Sequence, residues 1–193
     1  MSNSSHYRGR IFIISSPSGG GKTTLMTQLL AQNGNLARSI SMTTRTPRTG
    51  EKNGEDYIFV SKDEFENIKK KDGFLESAEV FGQQYGTPRA FVEQELNKGK
   101  DVLLVIDVQG AMLVKEKCPD AVRIFIDPPS MEELEKRLRN RQTDSEESIQ
   151  RRLKIARDEM AQSRVYEHRV TNKDLNVAVA ETSEIIRRER IAK

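Results

Sequence analysis

The sequence has little cysteine, little histidine and little net charge, and each shortage excludes a class of protein. Its one cysteine, Cys118, has no second cysteine to pair with, and beside Pro119 we expect it to pack rather than to act as a nucleophile. The two histidines are His6 in the polar N-terminal tail and His168 in a poorly apolar stretch, and neither predicts a metal site without further ligands. With 32 basic and 29 acidic residues the net charge is +3, which favours neither nucleic acid nor a membrane as the partner.

Long apolar runs are missing as well. No run of about 18 apolar residues occurs, and the polar N-terminus lacks the apolar core of a signal peptide. We therefore expect a soluble protein of a reducing compartment, the cytoplasm. The 193 residues are enough for one large domain with a sizeable core and small inserted subdomains.

A glycine-rich segment is the clearest motif. It follows the apolar run Ile11–Ile14 and consists of Ser16, Pro17, Ser18, Gly19, Gly20, Gly21, Lys22, Thr23 and Thr24. The segment matches G-x-x-x-x-G-K-[ST] except that Ser16 replaces the first glycine. Its glycines let backbone N–H groups surround phosphate oxygens at a helix N-terminus, while Lys22 and the hydroxyl after it can meet the terminal phosphates and Mg²⁺. The pattern predicts a polyphosphate site, and the alternative is a plain strand-to-helix linker.

Predicted strands and helices alternate along the chain. We predict a helix over Lys22–Gln32 that ends in a left-handed turn at Asn33-Gly34, strands at Arg38–Met42 and Tyr57–Val60, and a helix from the capping box at Ser61 to Asp72-Gly73. A hairpin of Phe74–Val80 with Gln83–Tyr85 is followed by a helix with Thr87 as N-cap and Pro88 first, and then by strands at Val102–Ile106 and Val122–Ile126. The last elements are a helix from the capping box at Ser130, a long helix carrying Ile149 and Met160, an edge strand at Val165–Val170 and a final helix. This alternation predicts an α/β fold with a parallel sheet covered on both faces and ligands at the carboxyl ends of its strands. The polar, turn-rich region before Pro88 predicts an inserted small subdomain.

Asp107 directly follows the predicted buried strand Val102–Ile106. At this edge of the sheet a phosphate loop needs a carboxylate that holds Mg²⁺ or its waters. A strand-end aspartate by itself could equally cap the next helix.

Arg45 and Arg48 lie three residues apart in a loop that Pro47 stiffens. Two guanidinium groups at this spacing suit a second phosphate. A solvated basic loop is the alternative reading of the two arginines taken alone.

Taken together, these features resemble the guanylate kinase family from Arg10 to about Leu175. The matching strings begin at Ser16 (SPSGGGKT), Ser41 (SMTTRTPRTGE), Asn53 (NGEDYIFV), Tyr85 (YGT), Ile106 (IDVQG) and Thr143 (TDSEESI), with Glu76 as a further match. The resemblance implies one domain with a P-loop NTPase-type core at about 8–37, 88–130 and 155–193. It also implies a small α+β GMP-binding insertion at about 38–87 and a helical lid at about 131–154 that closes over ATP.

The acceptor site is implied residue by residue. Arg45, Arg48, Tyr57 and Tyr85 are implied to hold the GMP phosphate, Ser41, Glu76 and Thr87 to address guanine, and Asp107 to join the GMP site and, with Thr23, to hold Mg²⁺ directly or through water. The chemistry of Glu76 agrees, because one carboxylate can accept both the N1–H and the amine of guanine, whereas adenine presents an acceptor at N1. Without the resemblance, Glu76 would be a solvated strand residue, and Ser41 and Thr87 a turn residue or a cap.

The donor side is implied in the same way. Residues 16–24 and Asn172 are implied to bind ATP, with Asn172 near adenine, and the catalytic residues are Lys22, Arg45, Arg137, Arg141 and Arg152. Each lid arginine has a surface role as its alternative, and Asn172 could cap the last helix. Two departures from the family pattern are Ser16 in the loop and the charged run Glu167–Arg169 in the last strand.

The implied activity is Mg²⁺-dependent transfer of the γ-phosphoryl group of ATP to GMP or dGMP, without a covalent enzyme intermediate. One alternative is a kinase for a different nucleoside monophosphate. The other is a guanylate-kinase-like module that binds protein partners, which has no need for Lys22 or Asp107.

Overall fold

The computed structural model describes residues 8–17, 19–80, 82–140 and 145–191. Its strands are β1 (Ile11–Ser15), β2 (Leu36–Arg38), β3 (Met42–Thr43), β4 (Ile58–Phe59), β5 (Phe74–Val80), β6 (Gln83–Pro88), β7 (Asp101–Val105), β8 (Val122–Asp127) and β9 (His168–Thr171). Its helices are α1 (Lys22–Gln32), α2 (Lys62–Lys70), α3 (Arg89–Asn97), α4 (Val108–Lys117), α5 (Met131–Arg139), α6 (Glu146–Gln162) and α7 (Leu175–Ile191). The predicted alternation of strands and helices is confirmed.

Two sheets organise these elements. A five-stranded sheet has the order β2-β7-β1-β8-β9, and the registered pairs β2 with β7, β1 with β8 and β8 with β9 are parallel. A four-stranded sheet has the order β4-β3-β6-β5, in which β6 runs antiparallel to both of its neighbours. The predicted parallel sheet flanked by helices is therefore present, and a smaller mixed sheet accompanies it.

The chain divides into two compact units. The first unit contains Met1–Ile11, Asn35–Leu104 and Met112–Ala121, and the second contains Phe12–Gly34, Val105–Ala111 and Val122–Lys193. The first unit holds the four-stranded sheet with α2 and α3. The second holds the glycine-rich segment, α1 and the helices α5 to α7. Our division into core, insertion and lid follows different boundaries and stays a prediction.

Strands β1 and β9 differ in burial according to their place in the five-stranded sheet. All five residues of β1 are buried, as expected for an apolar strand covered on both faces. Strand β9 at the edge alternates in exposure, with Val170 buried and Arg169 and Thr171 exposed. The edge position predicted from the charged residues of this strand is confirmed. The strand begins at His168 rather than Val165, because Ser163–Val165 forms a 3₁₀ turn.

Helix α1 ends differently from the prediction. Asn33 has φ of −124°, so it does not adopt the left-handed conformation. Instead, its backbone N–H and its side-chain Nδ2 both donate to the carbonyl of Leu29, at 3.0 and 2.8 Å. The side chain thus satisfies an end carbonyl of the helix that a left-handed turn would otherwise serve.

Two further predictions for the first unit are corrected. The single strand predicted over Arg38–Met42 is split, because β2 ends at Arg38 in the larger sheet and β3 begins at Met42 in the smaller one. Thr87 is not an N-cap: it belongs to β6, its hydroxyl donates to Glu76, and Pro88 stands directly before α3.

Three serine N-caps are found at helix starts. Ser61, Ser130 and Ser145 each accept a hydrogen bond from the backbone N–H three residues later. The helices predicted from capping boxes at Ser61 and Ser130 are therefore confirmed. Asp72, with φ of 53°, provides the left-handed turn after α2. Among the described residues no helix is long and apolar enough to cross a membrane.

Candidate nucleotide-binding sites

The glycine-rich segment forms a tight loop between β1 and α1 in the second unit. The N–H of Gly20 donates to the carbonyl of Pro17 at 2.9 Å, and Gly19 and Gly21 have φ of 92° and 93°. Such φ values are strained for residues with a side chain, so the backbone path depends on glycine. The ammonium group of Lys22 donates to the carbonyl of Ser16. Ser18 belongs to the predicted site but lies outside the described residues.

Ser16, the departure from the motif, fits because Gly20 has no side chain. Its hydroxyl is buried and donates to the carbonyl of Pro17 at 3.1 Å. A Cβ placed on Gly20 would lie 2.7 Å from Ser16 Oγ. The extra atoms of serine therefore occupy space that a glycine leaves open four residues later.

Asp107 caps helix α4, as the alternative reading of this residue allowed. Its Oδ1 accepts the N–H of Gly110 at 2.8 Å, and its backbone carbonyl accepts the N–H of Ala111 at 3.0 Å. Ser15 Oγ, at the end of β1, lies 3.5 Å from the same carbonyl. The cap uses Oδ1 alone, so capping does not engage the second carboxylate oxygen.

The donor set suits a magnesium ion held largely by phosphate and water. Thr23 is exposed at the start of α1, and Asp107 lies two residues after β7, in the same unit as Thr23. Within the described ranges, no group of three or more histidine, cysteine, aspartate or glutamate residues could hold a metal ion. Mg²⁺ commonly takes one or two protein oxygens and completes its shell with substrate phosphates and waters. The residues present fit that kind of site.

The other predicted donor residues lie in α5, α6 and the segment after β9. Asn172 is 5% exposed, and its Nδ2 donates to the carbonyl of Gly20 at 3.1 Å. Arg137 donates to the backbone carbonyl of Asn172 at 3.2 Å and to Glu133 at 3.2 Å. Arg152 is partly buried on α6, whereas Arg141 lies outside the described residues. The structure thus brings Asn172 to the glycine-rich loop between β1 and α1, called the phosphate loop below, and brings Arg137 to Asn172.

The charged run in the last strand is fully paired. Glu167 accepts from the Arg123 guanidinium at 3.0 Å, His168 Nε2 lies 2.9 Å from Glu189, and Arg169 donates to Asp127 at 2.9 Å. Paired charges on an edge strand also discourage pairing with another chain. This departure from the family pattern therefore leaves β9 registered on β8.

The first unit holds a cluster around Arg45. One guanidinium nitrogen donates to both carboxylate oxygens of Glu51, at 2.8 and 3.0 Å, and the other donates to the carbonyl of Thr46 at 2.8 Å. The Tyr57 ring lies 5.3 Å from the guanidinium carbon, which is cation–π range. Tyr85 meets Tyr57 edge to face, with ring centroids 5.9 Å apart.

Charge and burial shift the pKa values of this cluster. The hydrogen bonds from Arg45 lower the pKa of Glu51 below its ordinary value of 4.5, and the same contact raises the pKa of Arg45. Burial raises the pKa of Tyr57, and the nearby Tyr85 adds to that increase. The Tyr57 hydroxyl therefore stays neutral near neutral pH and can donate to an anion.

Glu76 and Thr87 form a buried pair in the four-stranded sheet. They are opposite each other in the β5–β6 register, Glu76 is 4% exposed, and the Thr87 hydroxyl donates to Glu76 Oε1 at 2.6 Å. Tyr85 lies two residues before Thr87 on β6, so both side chains belong to the same face. Thr43 is registered with Tyr85, which places Ser41, two residues earlier, on that face as well.

The structure therefore brings together most of the residues predicted to bind the second nucleotide. Ser41, Glu76 and Thr87 lie at one end of this sheet face. Tyr85, which belongs to the Arg45 cluster, lies two residues and thus about 7 Å from Thr87 along β6. Arg48 is exposed, and what it contributes to the cluster is its backbone N–H, which donates to Glu51 at 2.8 Å. The remaining predicted acceptor residue, Asp107, lies in the second unit.

Sequence reasoning missed three residues that build this cluster. Glu51 binds Arg45, Phe59 places its ring 5.8 Å from the same guanidinium, and Arg38 donates to the carbonyls of Glu55 and Asp56 at 3.0 and 3.1 Å. The one local signal was an acidic residue after Gly50 in a loop of basic residues. Arg38 gave no such signal, because its partners are backbone carbonyls.

Comparisons with known proteins agree on one family. The guanylate kinase family model matches residues 8–189. A guanylate kinase from Neisseria gonorrhoeae is 50% identical over 183 residues, covering 95% of this chain and 89% of that protein. One from Rickettsia bellii is 48% identical over 183 residues, covering 95% and 96%. The crystal structure of guanylate kinase from Anaplasma phagocytophilum has a TM-score of 0.80 at 38% identity and covers 95% of this chain and 87% of its own. This chain belongs to the guanylate kinase family and has its P-loop NTPase fold.

Proposed function

We propose that this protein transfers the γ-phosphoryl group of ATP to GMP, giving ADP and GDP. The observation that carries the proposal is the buried carboxylate of Glu76, bound to Thr87 on the sheet face that leads to the Arg45 cluster. A carboxylate accepts several hydrogen bonds at once, so Glu76 can accept from a base in addition to Thr87. Guanine supplies two adjacent donors, its N1–H and its exocyclic amine, and adenine does not.

In the acceptor site, one face of the small sheet recognises both ends of GMP. Glu76 accepts from the guanine edge, Thr87 orients that carboxylate, and Ser41 adds a hydroxyl on the same face. The phosphate is held by Arg45 and Arg48 with the hydroxyls of Tyr57 and Tyr85. The Glu51 carboxylate already keeps the Arg45 guanidinium in place, so the guanidinium loses little side-chain freedom when phosphate binds.

In the donor site, the backbone at Gly19, Gly20 and Gly21 surrounds the ATP phosphates, and Lys22 and the start of α1 add positive charge. Lys22 then exchanges the carbonyl of Ser16 for a phosphate oxygen. Thr23 and Asp107 would hold Mg²⁺, directly or through water. When bound, the ion neutralises charge on the β- and γ-phosphate oxygens.

The reaction needs alignment and charge neutralisation rather than a covalent intermediate. A phosphate oxygen of GMP forms a bond to the γ-phosphorus while the bond from that phosphorus to the β,γ-bridging oxygen breaks, and ADP leaves with that oxygen. Lys22, Arg45 and the lid arginines Arg137, Arg141 and Arg152 neutralise charge on the transferred group. Closure of a lid over residues 131–154 excludes water, which would otherwise accept the phosphoryl group.

We also propose that the protein acts in the cytoplasm, because ATP and GMP are available there. The division of the chain into a core, an insertion at 38–87 and a lid is part of the same proposal. dGMP is a second acceptor, since no contact assigned above involves the sugar hydroxyl.

The test is a coupled assay of ADP formation with GMP, dGMP, AMP and UMP as acceptors, with and without Mg²⁺. We expect GMP to be the best acceptor, AMP and UMP to be poor, and activity to require Mg²⁺. A protein with its highest kcat/KM on AMP or UMP would replace the guanine assignment with another nucleoside monophosphate. A folded protein that binds GMP without forming ADP would support the interaction-module alternative.

A further inference from the structure

We propose that Asn172 is a positioning residue of the phosphate loop, which acts by fixing the carbonyl of Gly20 and with it the direction of the Gly21 N–H. The inference rests on the proposed function, because it takes this loop to be the ATP site. It differs from the contact with adenine that the family resemblance implies for Asn172. The side chain would serve the phosphates of any nucleoside triphosphate, and the base would be irrelevant to its effect.

Asn172 is held firmly by its own backbone. Its N–H donates to the carbonyl of Asp127, the last residue of β8, at 2.8 Å. Its carbonyl accepts from Arg137 at 3.2 Å, and Arg137 is itself bound to Glu133. With both backbone groups bound and the residue 5% exposed, the side-chain amide starts from a fixed position.

The amide contacts two consecutive residues of the loop. Its Nδ2 donates to the carbonyl of Gly20 at 3.1 Å, in a bond between buried groups. A Cβ added to Gly21 would lie 2.5 Å from the same Nδ2. Gly21 therefore lacks a side chain for two reasons, its φ of 93° and the approach of Asn172.

Because the peptide bond is planar, the contact with the Gly20 carbonyl also fixes the direction of the Gly21 N–H, which is a donor for phosphate. The described peptide bonds are trans, so the N–H of Gly21 points opposite to the carbonyl of Gly20 within one plane. A carbonyl directed at Asn172 thus directs the next N–H away from it. Between two glycines this plane rotates at little steric cost, so the local sequence does not select one orientation. The amide of Asn172 supplies that selection.

The experiment separates phosphate positioning from base recognition with inorganic tripolyphosphate, which has no base. Calorimetry of the full chain measures Kd for Mg-tripolyphosphate and for MgATP, and kinetics measure KM for GMP. We expect Asn172→Ala to weaken both donor ligands by the same factor, about three- to tenfold, and to leave KM for GMP unchanged. The matched control is Asn33→Ala, which removes an amide-to-carbonyl bond to Leu29 at the other end of α1 and should change neither Kd.

A second variant keeps the size of the side chain. Asn172→Asp places a carboxylate against the Gly20 carbonyl, so we expect a larger loss for both ligands than with alanine. If Asn172→Ala does not give a cooperative thermal transition, Asn172→Ser, which adds no charge, decides by the same comparison.

Loss of ATP affinity with unchanged tripolyphosphate affinity would assign Asn172 to adenine and overturn the inference. Unchanged affinity for both ligands in the folded variants would overturn it as well. The wild-type measurements separate this failure from failure of the proposed function. A wild-type chain that binds neither ligand overturns both, whereas one that binds ATP and phosphorylates GMP leaves the proposed function in place.

Discussion

The phosphate loop and the Arg45 cluster are built from different parts of the chain. In the loop, the main-chain path of three consecutive glycines decides the arrangement, with Gly19 and Gly21 at positive φ. In the cluster, side chains decide it: Arg45 is bound by Glu51 at 2.8 Å, and on the same small sheet Thr87 binds Glu76 at 2.6 Å. The first site offers backbone N–H donors, and the second offers charges and hydroxyls.

This difference determines which part of a nucleotide each site recognises and which kind of substitution impairs its binding. Backbone N–H groups are the same in every residue except proline, so a backbone site recognises phosphate without selecting a base. Selection requires side chains whose donors and acceptors match one base, as the pair of Glu76 and Thr87 does. We therefore expect the loop to fail when atoms are added, and the side-chain site to fail when a charge or donor is exchanged.

Lys22→Ala should have the largest effect, because Lys22 is the residue of the loop whose side chain carries a charge to the phosphates. We expect kcat to fall by at least about 100-fold, with Kd for GMP nearly unchanged. Steady-state kinetics and calorimetry with GMP alone measure the two quantities. The control is Lys62→Ala, an exposed lysine that likewise begins a helix. Near-normal turnover in folded Lys22→Ala would remove this lysine from the chemistry.

Glu76→Gln should reduce kcat/KM for GMP by about 10- to 100-fold. The amide keeps one acceptor but places an NH₂ donor against a guanine donor, which removes a charge-assisted hydrogen bond of about 1.5–3 kcal/mol. AMP should gain relative to GMP, because adenine N1 can accept from the new donor. Glu79→Gln, an exposed position on the same strand, is the control. An unchanged ratio of GMP to AMP in folded Glu76→Gln would remove Glu76 from base recognition.

The phosphate loop and the Arg45 cluster also differ in how much of each could be predicted from the sequence. The loop between β1 and α1, the buried strand before Asp107 and the edge strand β9 depend on local pattern, and these were placed correctly. Local pattern also misled at Asn33, whose side chain binds Leu29 instead of leaving the residue to adopt a left-handed turn. Short-range propensity did not include this competing side-chain bond.

The cluster depended on contacts between distant residues, which the pattern does not contain. The strand predicted over Arg38–Met42 is split because β2 pairs with β7 while β3 pairs with β6. The partner of Arg45 is Glu51, and the Glu51 backbone also closes a turn onto the carbonyl of Arg48 at 3.0 Å. The family resemblance named the residues of this site, but it did not include the carboxylate that holds Arg45.

Gly21→Ala tests whether the loop fails when atoms are added. Alanine at φ of 93° costs about 1–2 kcal/mol, and its Cβ would lie 2.5 Å from Asn172 Nδ2. We expect Kd for ATP to rise about tenfold with Kd for GMP unchanged, measured by calorimetry. Gly50→Ala is the matched control, since φ is 88° there but nothing lies within 4 Å of the added Cβ. Gly50→Ala should leave Kd for ATP unchanged, and an unchanged Kd for ATP in folded Gly21→Ala would show that the loop tolerates added atoms.

Glu51→Gln should have the smallest effect and should depend on pH. Arg45 lowers the pKa of Glu51 in the folded chain, so the ion pair stabilises the protein above the ordinary carboxyl pKa of 4.5 and is lost as pH falls through the lowered value. Near pH 7 we expect the variant to lose about 1 kcal/mol of unfolding free energy, and the difference from wild type to shrink at an acidic pH below the ordinary value of 4.5. Urea unfolding at both pH values measures it. Glu55→Gln is the control on the same loop, because Glu55 pairs with Lys52 at an exposed site and should contribute less at either pH. A difference between Glu51→Gln and wild type that stays constant over this range would mean that Glu51 acts through shape rather than charge, and the Arg45 cluster would then resemble the phosphate loop more than we argue.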